Sequence, residues 1–181
     1  MALMNSDERT ERLLSDLKSN NPEFVLQTIE EIRESGSSAQ FSGLMELLHE
    51  TDDQDIKKHI LTLFSELKST QTVPLLIEAI QNKKYTDELK DLLVSCWHNG
   101  LNYSSYLPLF IDLVITGEFL ISFEAFTVIE NMYGKIDEVI VAQQLTKIQD
   151  ALITANEQKK YLLNELIEII QNIPEEQEIQ N

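Results

Sequence analysis

The chain has 181 residues, with 31 Asp and Glu against 14 Lys and Arg, for a formal net charge of −17. Five Gly and four Pro are too few for the many tight turns of a β-sandwich or barrel, so the composition predicts an all-α fold. Acidic residues outnumber basic ones in every quarter of the chain, which argues against nucleic acid or an anionic membrane as a partner.

Apolar residues at helical spacing, separated by capping residues, predict ten short helices. The first follows Ser6, and the second begins at Pro22 after the cap Asn21 and ends near Gly36. Because the connections are short, we expect consecutive helices to pair as antiparallel hairpins. The remaining helices are predicted at 38–50, 53–67, 72–82, 86–98, 104–116, 119–133, 136–154 and 157–172.

The helical pairs repeat along the chain. Residues 21–48 align with residues 53–80 at a constant offset of 32 without gaps. A further step of 34 carries the segment PLLIEAI at 74–80 onto PLFIDLV at 108–114. Repeats of this length made of helical pairs are typical of an α-solenoid.

In this repeat the chain resembles the HEAT-repeat family, especially the short bacterial HEAT-like repeats of the phycobilin-lyase type. The resemblance covers about residues 7–134 and is carried best by 53–80, where an acidic cap precedes an apolar-spaced helix and Pro74 opens the next one. It implies an α-solenoid of about five antiparallel hairpins. We therefore expect one domain over residues 1–174, followed by an acidic, disordered tail at 175–181.

Residues with catalytic or metal-binding chemistry are sparse. Glu46 and His49 form the ExxH half of a di-iron carboxylate site, but neither His59 nor His98 supplies a second half. The single cysteine, Cys96, lies at an inward helical position and cannot form an internal disulfide. We therefore expect no catalytic residue, no metal and no cofactor.

The setting of the chain is predicted to be cytoplasmic. A lone cysteine suits a reducing compartment, and the N-terminal residues lack the apolar run of a signal peptide or a membrane span. The acidic run beginning at Asp52 lacks the glycine and the distal glutamate of a calcium-binding loop. We interpret it as the cap of the following helix, with carboxylates near the helix N-terminus.

Three surfaces are candidates for binding. In the HEAT family the second helix of each pair lines the concave side, which implies either a merely solvated face or a mixed-charge groove for a protein or peptide. The polar residues predicted on that side are Glu30, Arg33, Lys58, Thr62, Ser65, Asp91, Ser95, His98, Glu124, Thr127 and Asn131.

The second surface is aromatic, and the third is the last helix. Tyr103 and Tyr106 flank a helix start and serve either as core residues that fix the turn or as exposed binding anchors. Apolar residues cover nearly half of the circumference of the last helix, more than packing against one neighbour usually needs. Ile167 and Ile170 are therefore either buried within the chain or mark a homodimer or partner contact.

These observations favour a non-enzymatic scaffold or adaptor that binds another protein. An acidic inhibitor or immunity-type protein, steered to a basic partner by its charge, is the alternative. A HEAT-like DNA glycosylase fits least, since the acid excess opposes binding to DNA.

Overall fold

The computed structural model describes residues 5–35 and 38–173 and confirms the all-α prediction, with no strand in those ranges. The predicted tail at 175–181 lies outside the described residues. Short 3₁₀ turns precede several helices. The ten described helices are α1 (Ser6–Asp16), α2 (Pro22–Ser35), α3 (Phe41–Glu50), α4 (Gln54–Ser65), α5 (Val73–Gln81), α6 (Leu89–Asn99), α7 (Leu107–Thr116), α8 (Phe119–Glu130), α9 (Glu138–Thr154) and α10 (Glu157–Gln171).

Helix starts follow the capping residues of the sequence. Asp53 accepts hydrogen bonds from the backbone N–H groups of Asp55, at 2.9 Å, and Ile56, at 3.2 Å. Asn21 likewise accepts from the N–H of Glu23, at 3.0 Å, immediately before α2. These bonds satisfy helix N–H groups that have no partner within the helix. The capping interpretation of the acidic run is thus confirmed at Asp53.

The chain divides into two compact units, Met1–Asn99 and Gly100–Asn181, where the sequence predicts one domain. The division falls at Gly100, which adopts a φ of 68° as the chain leaves α6. This left-handed conformation is readily available only to glycine and stops a helix.

In the first unit, α4 packs against both α2 and α6, while α3 packs against α4 and α5. Phe41 and Phe64 stack in the core between them, with ring centroids 4.8 Å apart. Burial here follows the repeat with one correction to the predicted register. Phe24 is 42% exposed, whereas Ile56, its partner at the offset of 32, is buried.

The helices α2 and α4 therefore match at an offset of 31, and only the helices that follow them match at 32. The linker before the second of each pair differs by one residue, which a gapless alignment cannot represent. The matching buried pairs are Val25 with Ile56, Ile29 with Ile60, Ile32 with Leu63, Phe41 with Val73, Leu44 with Leu76 and Leu48 with Ile80.

In the second unit, α10 packs against α7, α8 and α9. Three neighbours explain why its apolar face is wider than the stripe that one neighbour covers. Ile170 is only 3% exposed, and Ile167 is half-buried. The expectation that Ile170 marks a self-association surface is therefore wrong, because that side chain belongs to the core of its own unit.

A half-buried lysine joins α10 to the turn between α7 and α8. The Nζ of Lys159 donates hydrogen bonds to the carbonyl oxygens of Val114, at 2.7 Å, and Gly117, at 2.8 Å, and to the hydroxyl of Ser122. Burial lowers the pKa of Lys159. The cation meets the carbonyl end of α7, where the helix dipole favours positive charge.

Every helix within 5–35 and 38–173 is too short or too polar to cross a bilayer.

Candidate functional site

The α4/α6 groove is an open groove of about 590 Å³ on one side of the first unit. It collects six of the eleven polar residues that the sequence predicts on the concave side. Residues lining it are Gln54, Lys57, Lys58, Leu61, Thr62, Ser65, Glu66, Asp91, Val94, Ser95 and His98.

The spacing of these side chains on each helix explains why they meet. Lys58, Thr62 and Ser65 follow one another at intervals of four and three residues, so they share one side of α4. The opposite side of α4 carries buried apolar residues, among them Ile60 and Phe64. Helix α6 repeats this division, and the two polar sides therefore border the same groove.

The two helices run in the same direction, because their C-terminal ends are tied together. The side-chain amide of Asn99 donates to the carbonyl oxygen of Phe64 at 3.4 Å, and Lys68 donates to the carbonyl oxygen of Asn99 at 3.1 Å. Lys57 and Lys58 consequently lie at the end of the groove near the helix N-termini, where α6 contributes Asp91.

The C-terminal end of the groove carries different chemistry. Glu66 lies just after α4 and forms an ion pair with Arg33 of α2, which also contacts Glu30 at 3.3 Å. The hydrogen bond to Glu66 raises the pKa of Arg33. On α6, the ring of His98 stacks on Trp97 with centroids 3.8 Å apart.

Five groove residues were missing from the sequence prediction, and two of them escaped it because they are apolar. Leu61 and Val94 are half-buried, and each lies among polar neighbours on its helix. An apolar residue that interrupts the polar side of an amphipathic helix is the signal that could have identified them. With these two side chains, the groove offers apolar contact area as well as polar groups.

Ser95 corrects the prediction in one respect. It is 1% exposed, and its hydroxyl donates to the backbone carbonyl oxygen of Asp91 at 2.9 Å. Its small side chain leaves room in the groove, but its hydroxyl is directed to its own helix. Lys58, Thr62 and His98 are exposed and can reach a ligand.

Besides Glu30 and Arg33 on α2, the remaining predicted polar residues lie on α8 or directly after it, in the second unit. Thr127 donates to the carbonyl oxygen of Phe123 at 3.0 Å, and Asn131 donates to that of Thr127 at 2.8 Å. These two side chains bond back to their own helix, and Glu124 is half-buried.

The two aromatic candidates, Tyr103 and Tyr106, differ in burial. Tyr103 is 2% exposed and meets Phe110 edge to face at 5.9 Å between ring centroids. It is a core residue, so of the two alternatives for this position the exposed anchor is wrong. Tyr106 is half-buried at the start of α7.

A polar cluster joins α3 to the turn before α6, and it contains Glu46 and His49, which the sequence singled out only as an incomplete metal motif. The phenol of Tyr85 donates to Glu46 Oε1 at 2.6 Å, and Lys84 pairs with the same carboxylate. His49 Nδ1 lies 3.1 Å from Oε1 of the buried Glu88. These partners lie 38 or 39 residues apart, and no local motif links them.

The electrostatics of this cluster suit a structural link better than catalysis. Burial, aided by the bond to Glu46, raises the pKa of Tyr85 to about 12. Hydrogen bonds from Lys84 and Tyr85 lower the pKa of Glu46. The phenol therefore stays protonated as a donor, and the carboxylate stays charged as its acceptor.

A second groove in the first unit, of about 640 Å³, lies beside α1 and α3. Its walls include Leu14, Ser42, Gly43 and Leu47. A Cβ atom at Gly43 would lie 2.5 Å from Leu14 Cδ2, so glycine permits the close approach of α1. None of the predicted binding residues lines this groove.

Cys96 is 1% exposed, as the inward position predicts. Among the residues that the structure describes, no three His, Cys, Asp or Glu side chains form a group that could hold a metal ion.

Comparison of the chain with protein-family models finds no match, and comparison with curated proteins finds no similar sequence.

Proposed function

We propose that this protein is a non-enzymatic scaffold or adaptor that holds a segment of another protein in the α4/α6 groove. One observation carries the proposal: six of the eleven polar residues predicted from the HEAT resemblance and helical spacing line one open groove, together with Leu61 and Val94. A ligand that fits must satisfy charges of both signs and cover two apolar side chains. An extended or helical peptide segment meets this description.

The HEAT-like repeat architecture and a cytoplasmic location are parts of the same proposal. Buried positions at offsets of 31 and 32 support the repeat, because equivalent residues face the core in successive helices. The lone cysteine supports the reducing compartment. The acid excess supports a protein partner over nucleic acid, which requires clustered basic residues.

The proposal is tested by placing a large side chain in the groove and measuring whether less of the bound partner is captured. Thr62 is exposed in the α4/α6 groove, and Ser42 is exposed in the groove beside α1 and α3. Thr62→Trp and Ser42→Trp place the same large side chain in the two grooves. Wild type and both variants are used to capture proteins from native lysate, and the bound proteins are quantified by mass spectrometry.

We expect Thr62→Trp to reduce the captured partner by about tenfold or more, the effect of losing a central contact, and Ser42→Trp to retain it. The opposite result would move the site to the groove beside α1 and α3 and would contradict the proposal. Circular dichroism checks that both variants keep the helical content of the wild type.

A salt series on the same complex distinguishes the alternative, an acidic inhibitor of a basic partner. The net charge of −17 is the observation that favours it. Binding that depends on net charge weakens steeply as the Debye length falls from about 30 Å to about 3 Å. Binding in a groove with apolar contacts changes much less.

A further inference from the structure

Helix α8 leaves three large apolar side chains in solvent. Phe119 is 51% exposed, Leu120 is 58% exposed and Phe123 is 47% exposed. The rings of Phe119 and Phe123, one turn apart, stack with centroids at 6.4 Å. We call these three residues the α8 patch.

The core of the second unit does not include the residues of the patch. The opposite side of α8 already contributes Ser122, Ala125, Phe126, Val128 and Ile129 to the core. Apart from Glu124, Thr127 and the terminal Glu130, the apolar residues of α8 extend well beyond the side that faces the core. Exposed apolar clusters of this kind mark interaction sites, and paired aromatic rings are frequent anchors in them.

Charge decides which kind of partner covers the patch. The charged residues of α8 are Glu124 and Glu130, and Glu118 precedes the helix. Projected along the helix, Glu124 and Glu130 flank the same side as the patch. Residues 100–173 contain ten carboxylates and four lysines.

Three of those four lysines are engaged already, since Lys147 pairs with Asp112, Lys160 pairs with Glu157 and Lys159 holds backbone carbonyls. The second unit is thus acidic as a whole, and the charged residues on and next to α8 are all carboxylates.

A second copy of the chain fits this surface poorly. A symmetric contact through the patch would bring Glu124 and Glu130 of one copy towards the same residues of the other, and each copy carries a net charge of −17. A partner with lysines or arginines around an apolar stripe removes this repulsion and covers the rings. Such a pattern is the amphipathic helix that binds along apolar surfaces.

We propose that the α8 patch is a docking surface for a basic amphipathic helix of another protein. This surface is separate from the α4/α6 groove, so the proposal stands or falls independently of the one above. It gives the chain a second binding site of different chemistry, as an adaptor requires.

The test uses the full chain and a synthetic probe. The probe is a Leu/Lys helical peptide of about five turns with leucines on one side, and its counterpart replaces every lysine with glutamate. Binding is measured by isothermal titration calorimetry and mapped by amide chemical shifts. The test variant is Phe119→Ser/Phe123→Ser, and the control is Ile153→Ser/Tyr161→Ser, which removes two other exposed apolar side chains of the second unit.

Both double variants keep every charge, so general attraction between the basic peptide and the acidic chain is unchanged. We expect the Leu/Lys peptide to shift amides of α8, to bind Phe119→Ser/Phe123→Ser about tenfold or more weakly than wild type, and to bind the control normally. The glutamate peptide is expected to bind wild type at least about tenfold more weakly than the lysine peptide.

Four results would overturn the proposal: no binding to wild type, equal binding to wild type and the patch variant, equal affinity for both peptides, or a wild-type dimer in the ultracentrifuge that the patch substitutions dissociate. The last result would assign the patch to a second copy of the chain. Because the four substituted side chains are between 47% and 80% exposed, unfolding is not expected, and thermal denaturation verifies this.

Discussion

The α4/α6 groove and the α8 patch are built on helices of similar length but opposite character. Helices α4 and α6 each divide into a buried apolar side and a polar side, and the groove lies where the polar sides meet. Most residues of helix α8 are apolar, and its exposed side therefore carries Phe119, Leu120 and Phe123. The groove can select a ligand by charge and hydrogen bonding, whereas the patch supplies area and two aromatic rings.

This difference also concerns what holds each surface in place. The polar cluster of Glu46, Tyr85 and Lys84 ties α3 to the turn before α6. The α8 patch depends instead on Lys159, whose hydrogen bonds reach the turn before α8 and Ser122 within it. Each tie can be removed without touching a residue of either surface, so the two surfaces can be separated experimentally.

The largest effect is expected for Lys159→Met. It leaves the part-buried carbonyl oxygens of Val114 and Gly117 without their charged donor, and we expect a loss of about 2–3 kcal/mol in the free energy of unfolding. Amide hydrogen exchange is expected to rise at the start of α8 while α4 and α6 stay protected.

The control for this change is Lys160→Met, which removes only an exposed pair with Glu157. Urea denaturation of both variants measures the difference. Equal loss of stability in the two variants, or uniform exchange throughout the chain, would show that Lys159 does not hold α8 in particular.

A smaller effect, about 1 kcal/mol, is expected for Tyr85→Phe, which removes the bond to Glu46 and keeps the ring. The folded protein holds the pKa of Tyr85 at about 12, above the ordinary value of about 10. The stability that this difference contributes is therefore complete below pH 10 and is lost as pH rises towards 12.

Absorbance of tyrosinate against pH measures this directly. Wild type has five tyrosines, and one late ionisation near pH 12 should be missing in Tyr85→Phe. An unchanged late ionisation in the variant would assign it to another tyrosine. Binding in the α4/α6 groove is expected to survive this substitution.

The smallest effect is expected for Arg33→Gln. Both side chains of its pair with Glu66 are exposed, so melting temperature should hardly change. The substitution frees a carboxylate at the C-terminal end of the groove, which should favour ligands with a basic residue there. Peptide-array binding is measured for wild type, for Arg33→Gln and for a control, Arg9→Gln. The control breaks an exposed pair with Glu31 away from the groove. An identical preference in the two variants would mean that Glu66 does not contact the ligand.

Helix positions and caps could be predicted because they depend on neighbouring residues in sequence. All ten predicted helices are present, and the polar groove residues share sides of helices as their spacing requires. The spacing of apolar residues does not predict how many other helices pack against a given helix. Ile170 exceeded what one neighbour of α10 could cover, and the structure shows three neighbours. On α8 the sequence predicted a polar side, but it gave no sign that Phe119, Leu120 and Phe123 would also be exposed.

Long-range polar contacts were equally beyond prediction. Glu88 and His49 are separated by 39 residues, and each alone resembles an ordinary surface residue. Only the packing of α3 beside the turn before α6 brings them together. The position of Tyr103 was ambiguous for a different reason, because an aromatic residue at a helix start can lie in the core or on the surface. Its contact with Phe110 shows that it lies in the core.

The central claim is that a partner lies in the α4/α6 groove, and site-specific photocrosslinking tests it most directly. A photoreactive amino acid is placed at Thr62, or at Ser42 as the control in the other groove, and each chain is irradiated with the captured partner. We expect the partner to crosslink at Thr62 and not at Ser42. A partner that stays bound but crosslinks only at Ser42, or equally at both positions, would contradict the claim.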